Sequence, residues 1–380
     1  MRRLYLDYAA STPCDLRVLE AMHPFFSEQN ANASSPHSQG RRARKAIEEA
    51  RETLAAFIAA QPAEIVFTSG ATEGNNHAIF TTAKALKARG KHIIASGIEH
   101  PSVLEPLRQL QADGFEVCFI RPKPDGIVPY EDIRSAMRPD TILVCLIHAN
   151  NEIGTLQPVN QTGSLCRERN IKLLVDATQA LGHVPVNVKD MPCDFLSLSA
   201  HKFYGPQGVG ALYVRQTDCP AFILGGDQER GRRGGTHNTA GIVGLGEAVK
   251  LCQASMTEEA QRQAVLRDRI IDFVLKEIPM SMLNGHREKR LPHNVHFSFK
   301  GISGEELVSA LDLSGVSVSM GSACTWGRLE PSHVLKAIGL DDPTALGSLR
   351  ITMGRWTVPE DIAYFLEQLK LKVNELRKTR

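Results

Sequence analysis

Between residues 64 and 199 the chain alternates two hydrophobic periodicities. Short apolar runs at residues 64–68, 92–96, 115–120, 141–148, 172–176 and 194–199 read as strands. Amphipathic stretches lie between them, among them residues 73–89, 103–113 and 130–137. Strands that are apolar along their whole length need cover on both faces, and intervening helices supply it. The alternation therefore predicts an α/β fold, a mostly parallel sheet with helices on both sides. Right-handed crossovers bring the C-terminal ends of such strands to one edge, where ligands bind. A helix over residues 38–60 precedes them, with Ala46, Ile47, Ala50, Leu54, Phe57 and Ile58 at helical spacing.

The texture changes after about Gln253. A charged helical pattern over residues 258–277 is followed by a strand-like run at 293–299, a helix at 304–313, a short strand at 316–319 and a last helix at 359–376. This predicts a smaller α+β domain, with residues 14–257 forming the large domain and residues 1–13 and 258–380 the small one.

Lys and Arg number 44 against 42 Asp and Glu, a formal charge of +2, which gives no basis for direct nucleic-acid binding. The basic run from Arg41 to Lys45 reads as a solvated helix face. Eight cysteines are scattered without any C-x-x-C spacing, so neither a zinc site nor a disulfide scaffold is indicated and a reducing compartment is expected. The basic start lacks an apolar signal core, and the apolar run 142–147 falls far short of the roughly 20 residues of a membrane span. These features predict a cytoplasmic protein with no membrane partner.

Three motifs fall at predicted strand ends. Thr68-Ser69-Gly70-Ala71-Thr72-Glu73-Gly74-Asn75 joins a strand to a helix start, which is either an ordinary cap or a phosphate seat. Asp176 closes an apolar strand in Val175-Asp176-Ala177-Thr178-Gln179, as a cap or as a partner for a protonated pyridine nitrogen. Lys202 follows the apolar run ending Ser199-Ala200-His201, ahead of the turn Gly205-Pro206-Gln207-Gly208. Desolvation there would lower its amine pKa and fit it to form a Schiff base with an aldehyde.

In their order and spacing these motifs resemble the cofactor site of fold-type I pyridoxal 5'-phosphate (PLP) enzymes in the class V aminotransferase group. Leu6-Asp7-Tyr8-Ala9-Ala10, Ser34-Ser35-Pro36-His37, Glu99-His100 and Asn150-Asn151-Glu152-Ile153-Gly154 are similar to that group too. Gly321-Ser322-Ala323-Cys324-Thr325, with Leu329-Glu330-Pro331-Ser332 behind it, resembles the active loop of group I cysteine desulfurases, the NifS/IscS-like enzymes. Position by position, the resemblance implies that Lys202 anchors PLP, Asp176 pairs with the pyridinium and His100 stacks on the ring. Asn151 and Gln179 would contact the ring hydroxyl or hold the tilt of the ring, and Ala71, Thr72, Ser199 and His201 would hold the phosphate. Thr236 would reach the phosphate of a second subunit, which makes the family pattern a homodimer. Arg350, with Asn32 nearby and Asn151 beside it, would take the substrate carboxylate, Arg355 being the lesser candidate. Cys324 would receive the sulfur, with His100 as proton carrier.

The implied reaction converts L-cysteine and an enzyme thiol into L-alanine and a persulfide on Cys324, for a sulfur-acceptor protein. Iron–sulfur scaffolds, tRNA thiolation, thiocofactors and DNA sulfur modification all draw on this family, and the sequence does not choose among them. A selenocysteine lyase, another class V enzyme or a non-catalytic sulfur-relay scaffold remain as alternatives. The chain departs from the family pattern at Asn32-Ala33-Ser34 and at Trp326-Gly327-Arg328.

Overall fold

The structure, a computed structural model, describes residues 3–215, 219–321 and 330–378. Its largest sheet has seven strands, in the order Ile65–Thr68, Gly210–Val214, Phe195–Ser199, Lys172–Asp176, Thr141–Ile147, His92–Ser96, Glu116–Ile120. Gly210–Val214 runs antiparallel to both of its neighbours, and the other pairings are parallel. The sequence reads a Gly-rich turn ahead of this stretch and no strand within it. The link over residues 200–209 is shorter than the dozen or so residues that a parallel crossover needs, so the chain returns as a hairpin.

Strand residues alternate between two cores. Val66, Ile93, Leu143 and Leu212 face one core with Ile79, Val103 and Leu107. Ile65, Phe67, Ile94, Val144 and Leu196 face the other, with Ile47, Leu54 and Leu245. This period of two explains why the strands read as unbroken apolar runs: each alternate residue meets its own helix layer. Each fully buried Leu or Ile contributes about 1.5–3 kcal/mol relative to an exposed one.

A third core gathers Leu4, Leu6, Ile270, Phe297, Phe299, Leu349, Ile362 and Phe365. It forms on a three-stranded antiparallel sheet of Ser281–Leu283, Asn294–Phe299 and Ser348–Thr352. The N-terminal strand Leu4–Tyr5 joins it by pairing in parallel with Val316–Ser317. Val334, Leu335 and Ile338 belong instead to the core of the large sheet.

One helix, Thr239–Glu277, passes through both bodies. Its first turns bury Ile242, Leu245 and Val249, its last turns Leu266, Ile270, Ile271 and Val274, and residues 253–262 bury nothing. The change of texture near Gln253 thus marks a stretch without fully buried residues within a continuous helix.

Candidate active site

The Gly70 and Gly210 backbones meet where the strand Ile65–Thr68 hands over to the helix Ala71–Leu86. A Cβ on Gly210 would lie 2.3 Å from the Leu198 carbonyl oxygen and 2.7 Å from Gly70 Cα, so only glycine allows this approach. It brings Ser199 Oγ to the first amide of the helix, where Ala71 N–H donates to it at 2.8 Å. A helix N-terminus flanked by a hydroxyl is an anion seat. Thr72, next along, is exposed.

One turn further, Asn75 is fully buried and joins three groups. Its Nδ2 donates to Asp176 Oδ2 and to Ser102 Oγ, both at 2.9 Å, and its Oδ1 accepts from Ser197 Oγ at 2.6 Å. The other Asp176 oxygen accepts from Thr178 N–H at 3.0 Å. Ser102 completes the chain to His100, whose Nδ1 accepts from Ser102 N–H at 3.1 Å and lies 2.9 Å from Ser102 Oγ. Acceptance at Nδ1 puts the proton of the neutral ring on Nε2. Burial lowers the His100 pKa; the Asp176 charge opposes that shift, and Lys202 and His333 add to it.

Lys202 lies on the N-terminal segment. Its Nζ donates to the carbonyls of Ala9 at 2.7 Å and Ala10 at 2.8 Å, and Gln179 Nε2 donates to the same Ala9 oxygen at 2.9 Å. His201 Nδ1 stands 3.2 Å from Ser11 Oγ, and burial together with the Lys202 charge brings its pKa down to about 4. Residues 9–11 therefore bridge three of the residues that the sequence singles out.

Arg350, on the strand Ser348–Thr352, is 2% exposed. Its Nη1 donates to the carbonyls of Asn151 and Gly321, and its Nη2 pairs with Asp7 Oδ1 at 2.8 Å. Arg355 is held in the scaffold, where it pairs with Asp15 at 2.7 Å and Glu259 at 2.6 Å and covers the Tyr204 ring. Asn32 and Thr236 are exposed, and the Asn32 side chain accepts from Ser34 N–H at 2.9 Å. Cys324 lies outside the described residues.

The family model for aminotransferase class V matches residues 4–365. The chain belongs to the class V aminotransferase family. A curated relative from Dictyoglomus turgidum, a cysteine desulfurase IscS, is 49% identical over 377 residues, covering 99% of this chain and 96% of its own length. A solved NifS-like protein superposes with a TM-score of 0.93 at 35% identity, covering 99% of this chain and 100% of its own. A second, SspA in complex with cysteine, gives 0.82 at 37% identity, covering 93% and 100%.

The cofactor of this class V chain is PLP, and the residues present fit it. The helix start beside Ser199 suits a phosphate, the Asn75-braced carboxylate of Asp176 suits a pyridinium, and Lys202 supplies the amine. Asn75 and Asp7 stand within motifs read from the sequence but receive no role there, and Ser102 and Ser197 receive none either. Asn75 had a legible signal: with Ala71, Ala78, Ile79 and Thr82 it shares the buried face of its helix, an odd place for an amide without a partner.

Proposed function

We propose that the protein is a PLP-dependent cysteine desulfurase that turns L-cysteine into L-alanine and leaves the sulfur as a persulfide on Cys324. The observation that carries the reading is that Lys202 and Arg350 both meet the N-terminal segment 7–11, while the Asp176–Asn75–Ser102–His100 chain ends at a His100 that feels the Lys202 charge. Bound PLP supplies an electron sink for the pair released at the amino-acid Cα.

Each residue then has a defined role. Lys202 would hold the cofactor through its amine, and the same amine would take the proton from the substrate Cα and return a proton. Asp176, aligned by Asn75, keeps the pyridine nitrogen protonated. Arg350 fixes the α-carboxylate, and so orients Cα and the sulfur beyond it. The Cys324 thiolate attacks the substrate sulfur; an S–S bond forms, the C–S bond breaks, and its electron pair ends as a C–H bond of alanine. His100, neutral because of its burial, is suited to carry the proton that this exchange releases or consumes.

The reading includes a homodimer in which Thr236 serves the phosphate of the second copy. The exposed Thr236 and the exposed side chains of Phe222, Ile223 and Leu224 upstream on the same segment support it. It also includes a sulfur-acceptor protein, a large body formed by residues 14–257, a small one formed by residues 1–13 and 258–380 apart from the part around Val334, Leu335 and Ile338 that packs on the large sheet, and a cytoplasmic setting. Cys14, Cys118, Cys145, Cys166, Cys193 and Cys252 form no disulfide among the described residues, which favours a reducing compartment. Among the described residues no helix is long and apolar enough to cross a membrane.

The test is direct: the purified, PLP-loaded protein is given L-cysteine, alanine is quantified, and Cys324 is examined by mass spectrometry for one added sulfur. Alanine with a persulfide at Cys324 is expected. Pyruvate and sulfide in place of alanine would make the protein a lyase and overturn the reading.

A further inference from the structure

Arg350 carries five N–H donors. Three are accounted for: Nη1 donates to Asn151 O at 2.9 Å and Gly321 O at 3.1 Å, and Nη2 to Asp7 Oδ1 at 2.8 Å. Nε is buried and has no partner among the described residues. The donors left over are Nε–H and one N–H of Nη2, which match the two oxygens of a single carboxylate.

What holds the guanidinium in this attitude comes from three separate stretches of chain. The two carbonyl contacts both act on Nη1 and leave the far side of the group untied. Asp7 supplies the contact on Nη2, and it is the sole carboxylate paired with Arg350 among the described residues. Its own place is well fixed: a parallel bridge ties it to Thr352, and Tyr5 Oη donates to the Asp7 carbonyl at 2.9 Å. The Asp7 charge also offsets a guanidinium that would otherwise stand buried and unpaired before substrate arrives.

We propose that Asp7 is a positioning residue for substrate binding, turning Arg350 so that Nε–H and the second Nη2–H face the α-carboxylate of the amino acid. The proposal rests on the reading of Arg350 given above. Asp7 acts through the arginine, so its effect is confined to ligands that carry a carboxylate.

That confinement is the test. PLP-loaded wild type, Asp7→Ala and Asp7→Asn are compared with L-cysteine as substrate and with cysteamine, the same amine and thiol without the carboxylate, as a competing ligand. Asp7→Ala is expected to raise KM for L-cysteine about tenfold with a small change in kcat, the scale of losing one hydrogen bond between charged groups. Equilibrium dialysis of L-alanine should show the same loss, and cysteamine inhibition should stay put. Asp7→Asn, which keeps an acceptor oxygen, should recover part of the affinity. An Asp7→Ala variant that weakens cysteamine as much as L-cysteine, or that weakens neither, overturns the proposal. Arg350→Lys separates the two levels. If it leaves KM for L-cysteine unchanged, the reading of Arg350 itself fails; if it raises KM while Asp7→Ala does not, only the role of Asp7 fails.

Discussion

Asn75 Nδ2 lies 2.9 Å from Asp176 Oδ2 and joins the phosphate-seat helix to the carboxylate at the end of the strand Lys172–Asp176. The same amide holds Ser102, and through it the acceptor nitrogen of His100. Replacing Asn75 by Ala removes a hydrogen bond to a charged group, about 1.5–3 kcal/mol, and frees both partners. We expect kcat/KM for L-cysteine to fall roughly ten- to hundredfold, with the pH titration of the PLP absorbance displaced. Unchanged kinetics and spectra in Asn75→Ala would show that Asp176 needs no brace.

The two arms of the proposed mechanism separate cleanly. Lys202→Ala should abolish turnover and the absorbance of covalently held cofactor. Cys324→Ser should keep a normal cofactor spectrum that still responds to L-cysteine, because serine is a far weaker nucleophile than a thiolate at neutral pH. It should form no persulfide. Alanine release at the wild-type rate from Cys324→Ser would remove Cys324 from the chemistry.

Glu229 anchors the segment that carries Thr236. Its carboxylate receives both terminal nitrogens of Arg51, at 2.7 and 2.8 Å, together with Phe67 N–H and His237 Nε2. Burial pushes its pKa up, but Arg51 and His237 win and bring it down to about 2. A carboxyl with a lowered folded-state pKa adds stability above its ordinary value of 4.5, and that contribution is lost as pH falls toward 2. Arg51→Met leaves the buried carboxylate with Phe67 N–H and His237 but without its guanidinium, and should cost about 3 kcal/mol in urea unfolding. The deficit should shrink below pH 4, and a constant deficit across that range would count against the pair.

Glu99 runs the other way. It is 1% exposed, and burial, helped by the Asp176 charge, raises its pKa to about 8 against the pull of Ser96 and Ile147 N–H. With the folded-state pKa above the unfolded one, its contribution to stability is complete below 4.5 and is lost as pH rises through 8. Glu99→Gln should flatten the fall of Tm between pH 4.5 and about 8, where the unfolded chain has released the proton that the folded wild type still holds. Parallel Tm curves for the two proteins would refute this.

Much of the large sheet is legible in the sequence because its strands are covered on both faces and so are apolar throughout. Gly210–Val214 escapes because its opening Gly210 continues a turn-like run, and only the length of the preceding link dictates a hairpin. Asp176, Ser199 and Lys202 stand out as polar groups at the ends of apolar strands. The partners of Lys202 do not, because the Ala9 and Ala10 carbonyls are backbone atoms that carry no mark of side-chain identity. Two arginines, Arg350 and Arg355, look alike as letters. What tells them apart is that Asp15, Glu259 and the Tyr204 ring already occupy Arg355, whereas Arg350 retains spare donors.

The helix Thr239–Glu277 makes the two bodies thermodynamically inseparable. If the body around Phe297 and Leu349 came apart, the helix end that it clothes would be a bare piece of roughly 15 residues, marginal in water. If the sheet body came apart, the other end would lose its cover in turn. Neither body has a reference state in which it is whole while the other is not. PLP bound as proposed, at Lys202 and Asp176, is therefore expected to raise the melting of both bodies together.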